Sequence, residues 1–129
     1  MNDAQNRHGI QSKLIPCFLR DQTEASALDT WLEMSQYFTS HPTSKGQIIG
    51  VGLDSSEKNH PPHDFHRVFW FVRHTPYNSH GLGMHVVAHA GEEGPPDYIV
   101  QALDILHAER IDHGSTMFGR YGINSSITE

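Results

Sequence analysis

Three residues stand where chemistry is done. In "VVAHAGEEGPPDYIV", residues 86 to 100, an apolar run ends in His89, and Glu92 follows three residues later on a glycine-flanked turn. In "RIDHG", residues 110 to 114, another β-branched run ends in His113. A neutral imidazole is a common zinc ligand, and a catalytic site keeps one position open for water, whose pKa the metal lowers to about 7. A carboxyl group three residues beyond such a ligand can carry protons to and from a substrate, and a second histidine on the adjacent strand can orient the attacking oxygen. These residue types admit a metal site without identifying one. The other histidines, among them His60, His63, His66, His74 and His80, lie in polar or proline-rich surroundings and read as ordinary surface residues.

The elements that must position these groups are legible in the periodicity. The runs 13–19, 47–53, 84–90 and 110–114 are short and apolar or β-branched, the form of buried parallel strands. Between them, residues 23–38 put Leu28, Trp31, Leu32 and Phe38 on one broad face, with Thr23 or Asp21 as N-cap. Residues 61–73 put Phe65, Val68, Phe69 and Val72 on one stripe behind two prolines, and residues 95–109 do the same with Ile99, Ala102, Leu103 and Leu106. The order β-α-β-α-β-α-β predicts a parallel α/β sheet. In barrel and open forms alike, its chemistry sits beyond the C-terminal strand ends. Ser55, Ser56 and Glu57, then His89 and Glu92, then His113 all fall there.

Composition narrows the function class. At 129 residues with 36% hydrophobic content, the chain suits one modest globular domain. A net charge of -6 without a basic cluster argues against nucleic acid, and no apolar run is long enough for a membrane span. The N-terminus lacks the pattern of a secretory signal, which leaves a cytoplasmic or nuclear compartment as the expectation. Cys17 is the one cysteine and sits in an apolar run, so it reads as a packed thiol. Trp31 and Trp70 read as packing residues, and Glu93 as an acid at a helix N-terminus.

"HAGEEGPP" (89 to 96), "ALDIL" (102 to 106) and "ERIDHG" (109 to 114) resemble the adenosine deaminase superfamily of zinc-dependent purine deaminases. "GVGLDSSE" (50 to 57), the "PP" and Phe of "HPPHDF", and the doubled acid of "HAGEEGPP" resemble its adenine deaminase branch, and "LIPCFLRD" (14 to 21) resembles the preceding family strand. The resemblance implies a hydrolase with bound Zn2+ acting on a small purine. It implies that His89 is a metal ligand, that Glu92 delivers a proton to the purine ring, and that His113 positions the attacking hydroxide. Ser55 and Ser56 occupy the loop that carries a small residue and an acid near the purine in nucleoside deaminases, and so are expected to border the substrate. Adenine and adenosine both stay open as that substrate.

The family fold is an eight-stranded (β/α)8 barrel with an "HxH" zinc pair on its first strand and a zinc-binding aspartate near its last. Neither occurs in this sequence. The expected organisation is an N-terminal tail (1–9), a partial TIM barrel of about four parallel β/α units resembling strands three to six (10–114), and a divergent tail (115–129). A truncated gene model, an altered splice product or a decayed gene gives such a chain, and a non-catalytic remnant or assembly partner is the alternative to a deaminase. Two open strand edges would favour self-association. The other zinc deaminase class, which uses "HxE" with "PCxxC", is excluded by the single cysteine.

Overall fold

The computed structural model describes residues 2–75 and 83–117. Residues 76–82, most of the long connection between the second and third helical units, and residues 118–129, most of the C-terminal segment expected to diverge, lie outside the described residues. Four strands, β1 (Cys17–Leu19), β2 (Gly50–Asp54), β3 (His85–Ala90) and β4 (Arg110–His113), form one sheet in sequence order. Every adjacent pair is parallel. Helix α1 (Asn2–His8) precedes the sheet, and no described side chain from Ala4 to Leu14 is buried. Helices α2 (Glu24–Ser40), α3 (His66–His74) and α4 (Pro96–Asp104) connect the strands.

β1 is shorter than the apolar run that encodes it. Pro16 has no N–H to give, so the ladder is reduced to an isolated Leu14–Ile48 bridge before Cys17. α2 begins where Thr23 accepts the Ser26 N–H at 3.2 Å. Its buried stripe is Ala27, Trp31 and Phe38, whereas Leu32 is exposed, so the contacting face is narrower than the sequence pattern. α3 buries Val68, Phe69 and Val72 as expected, after a 3-10 turn that buries Phe65, while Trp70 lies on its outer face, stacked on His74. α4 stops at Asp104, earlier than the pattern, because the chain must turn into β4. His107 adopts φ 55°, and the Ala108 N–H reaches back to the Ala102 carbonyl at 2.9 Å. Leu106 is still buried beyond the helix, and Leu103 is exposed.

The sheet has one helix-covered face. Phe18, Leu53 and Ala88 are lateral neighbours in the register and all lie in the core, and Ile111 packs against it. Phe18 meets Phe69 edge-on at 5.6 Å, which ties β1 to α3. Side chains alternate along a strand, so Asp54, His89 and Asp112, one residue further along, point to the opposite face. β1 and β4 are the sheet's edges among the described residues.

Candidate active site

All three chemical strand ends leave the sheet through left-handed backbone. Ser55 follows β2 with φ 78°, Gly91 follows β3 with φ 76°, and His113 ends β4 with φ 78°. Non-glycine residues occupy that region at a cost and collect at functional sites. At His113 the conformation has a direct effect. Its register partner is Ala90, a core residue, so regular alternation would aim the imidazole at the helices. Instead its ring centroid lies 4.7 Å from that of His89, edge to face.

His89, Glu92 and His113 converge, with ligand atoms all within 4.8 Å of one another. His113 Nε2 stands 3.3 Å from Glu92 Oε2. His89 Nδ1 is 3.1 Å from Asp54 Oδ1, which leaves its Nε2 as the free ring nitrogen. A carboxylate holding one imidazole nitrogen so that the other can bind a metal is a recurrent zinc-site arrangement. Two imidazoles and a carboxylate, half-buried to exposed at a strand-end cleft, are a donor set that fits zinc. Ser55 touches this group indirectly, through its N–H to Asp54 Oδ1 at 2.5 Å. Ser56 is exposed at the same edge, and among the described residues no hydrogen bond joins it to the three.

Two buried charges support the turn beneath the site, and sequence reasoning assigned neither a role. Glu57 is 1% exposed and its carboxylate accepts four backbone N–H groups: Gly91 at 2.6 Å, Glu92 at 2.8 Å, Glu93 at 2.8 Å and Gly94 at 3.0 Å. Burial pushes its pKa up, but the amides of Gly94, Glu93, Gly91 and Glu92 together outweigh that and hold it below the ordinary glutamate value. A Cβ at Gly94 would press on the Tyr98 ring and come within 2.8 Å of Glu57 Oε1, so any side chain there must displace the ring or the carboxylate. Arg20 is fully buried and donates to the His60 carbonyl from Nε at 2.9 Å and to the His89 carbonyl from Nη1 at 2.8 Å. Burial pulls its pKa below the usual arginine value, while Glu57 and Tyr98 act against that. Glu93 does not serve a helix terminus. Its Oε2 accepts the Glu57 N–H at 3.3 Å, whereas α4 starts later, at Pro96.

Asp54 is the third residue that sequence reasoning passed over, although it stands inside "GLDSSE" at the strand end where an acid has reason to be. Glu57, in the same motif, offered only its position as a signal. Arg20 offered none, because nothing local distinguishes a buried arginine after a strand from an exposed one. Cys17 is half-buried on the Asp54 face, and burial first, then Asp54 and Asp112, raise its thiol pKa, in keeping with an inert thiol. Among the described residues no helix is long and apolar enough to cross a membrane.

The family model described as adenosine deaminase matches residues 1–119. An adenine deaminase of Ralstonia nicotianae is 51% identical over 114 residues, 88% of this chain and 30% of the relative. One of Streptomyces coelicolor is 45% identical over 111 residues, 86% of this chain and 28% of the relative. The crystal structure of an adenine deaminase from Arthrobacter aurescens superposes with a TM-score of 0.71 at 40% identity, over 92% of this chain and 32% of that one. An amidohydrolase from Burkholderia ambifaria, crystallised with bound Zn, gives a TM-score of 0.72 at 29% identity, over 92% and 29%. The chain thus spans about 30% of the length of the curated relatives it matches. Four parallel strands joined by three helices in an arrangement that superposes on these proteins, and a family match over nearly the whole sequence, establish that the chain belongs to the adenosine deaminase family.

Proposed function

We propose that these residues are the central portion of a zinc-dependent adenine deaminase, which consumes adenine and water and releases hypoxanthine and ammonia. The observation that carries the reading is the convergence of His89, Glu92 and His113 at the C-terminal edge of a parallel sheet. Relatives named adenine deaminase at about 50% identity favour the free base over adenosine.

In this reading His89 holds the metal through Nε2 and Asp54 fixes its ring. Zinc, when bound, supplies an activated water at neutral pH. Glu92 gives a proton to the purine ring nitrogen, and His113, within 3.3 Å of it, orients the attacking oxygen and exchanges a proton with the carboxylate. Ser55 and Ser56 border the base. A catalytic zinc usually has three protein ligands, and His89 is the single residue here that matches a family ligand, so the 129 residues by themselves are expected to be inactive. The cytoplasmic expectation stays part of the proposal, whereas the nuclear one gains nothing from relatives that are bacterial.

The test joins the chain to the flanking strands of an adenine deaminase relative and follows the ultraviolet change from adenine to hypoxanthine. Glu92→Gln should retain zinc and lose about 100-fold to 10,000-fold in turnover. His89→Ala should lose the metal. Full turnover in Glu92→Gln refutes the assignment, and a preference for adenosine moves the protein to the nucleoside branch.

A further inference from the structure

The peptide that links the proposed metal ligand to the proposed proton carrier is gripped from both sides by buried charge. On the carbonyl side, Arg20 Nη1 donates to His89 O at 2.8 Å. On the amide side, Glu57 collects the four N–H groups from Gly91 to Gly94, and its own N–H returns a bond to Glu93. Successive amides turned inward form a nest that suits an anion, and here the protein supplies the anion from another strand end. A solvent-facing turn has no need of this, since water would satisfy the same donors. The Glu92 N–H sits 2.8 Å from Glu57 Oε2, while the Glu92 carboxylate, on the same residue, lies 3.3 Å from His113 Nε2. Where Glu92 can reach is therefore fixed by where Glu57 holds its backbone.

We propose that Glu57 is a positioning residue for the deamination, acting through the Gly91–Gly94 turn to keep Glu92 in register with His113. Arg20 fixes the preceding carbonyl, that of His89. The proposal rests on the reading of Glu92 as the proton carrier. It adds a residue whose own carboxylate is held away from substrate, because it is buried with both oxygens turned to backbone amides.

Two measurements test it. In the full 129-residue chain, amide hydrogen exchange is compared between wild type, Glu57→Gln and Glu57→Asp. Glu57→Gln should accelerate exchange at Gly91 to Gly94 by about 10-fold to 100-fold, the factor that a lost charged hydrogen bond converts to, with Val51 and Val87 amides unchanged. Glu57→Asp keeps the charge one methylene back and should fall between the two. In the extended enzyme described above, Glu57→Gln should lower kcat for adenine by about 100-fold, the order expected of a misplaced reacting group, with KM and bound zinc unchanged. Glu57→Asp should recover part of that loss. Unchanged exchange at Gly91 to Gly94, unchanged kcat, or a kcat loss that comes with zinc loss and a matching KM rise would each overturn the proposal. If Glu57→Gln yields no folded chain, Glu57→Asp decides, and wild-type exchange with wild-type kcat overturns it. An extended wild type that fails to deaminate adenine refutes the functional reading separately, since the exchange experiment needs no activity.

Discussion

Replacing Arg20 by Met tests whether the buried cation holds the fold around the site. The unbranched Met side chain can occupy the path of the arginine stem, so the substitution removes charge and donors more than volume. It leaves the carbonyls of His60 and His89 without the guanidinium, and Glu57 without its compensating charge. Charged hydrogen bonds contribute about 1.5–3 kcal/mol each, which gives about 3–6 kcal/mol for the two carbonyls. Relief of the desolvation that already depresses the arginine pKa acts the other way. The net expectation is a loss of about 3–5 kcal/mol, the figure for the two carbonyls less that relief. Urea unfolding followed by tryptophan fluorescence and far-ultraviolet circular dichroism reads it. With a slope of about 1–3 kcal/mol per molar, the midpoint should move down by about 2 M. Arg20→Lys keeps the charge but cannot bridge both carbonyls, and should fall between. A midpoint for Arg20→Met within about 0.3 M of wild type, equivalent to less than about 1 kcal/mol at that slope, would refute the argument that the guanidinium holds the β3 end.

Acid should weaken the same region. The Glu57 pKa is lowered on folding, so its stabilisation is fully present above the unfolded value of about 4.5 and is lost as pH falls through the folded value. Urea titrations across that range should show the wild type losing stability that Glu57→Gln never had, and parallel curves would contradict this. Gly91→Ala should destabilise by about 1–3 kcal/mol, because φ is 76° and a Cβ would meet Ile99 Cδ1 at 2.7 Å, as thermal unfolding can check. The chain alone should hold zinc weakly, and equilibrium dialysis finding one tight zinc lost on His89→Ala would overturn that. With β1 and β4 unpaired on their outer sides among the described residues, the chain should self-associate, so a single monomeric boundary in sedimentation velocity at micromolar concentration would count against it.

The parallel order of the strands and the edge at which chemistry gathers were legible in the pattern of residues alone. Short apolar runs such as 84–90 separated by stripes such as Phe65, Val68, Phe69 and Val72 admit few other arrangements, because each face must be buried against the other. The pattern also marked His89, Glu92 and His113, since polar groups ending buried runs are conspicuous. Tertiary structure decided how those groups meet. The left-handed backbone at His113 turns a side chain that alternation sends toward the core across to His89, and no periodicity encodes that. The helix faces of α2 and α4 also came out narrower than their patterns, with Leu32 and Leu103 left outside, because a stripe buries only what its neighbour covers. The supports escaped altogether. Arg20 and Glu57 are separated along the chain from the turn they grip, and their burial arises only when three strand ends are brought side by side. A charged residue is recognisable as internal only once the partners that compensate its lost hydration are in place.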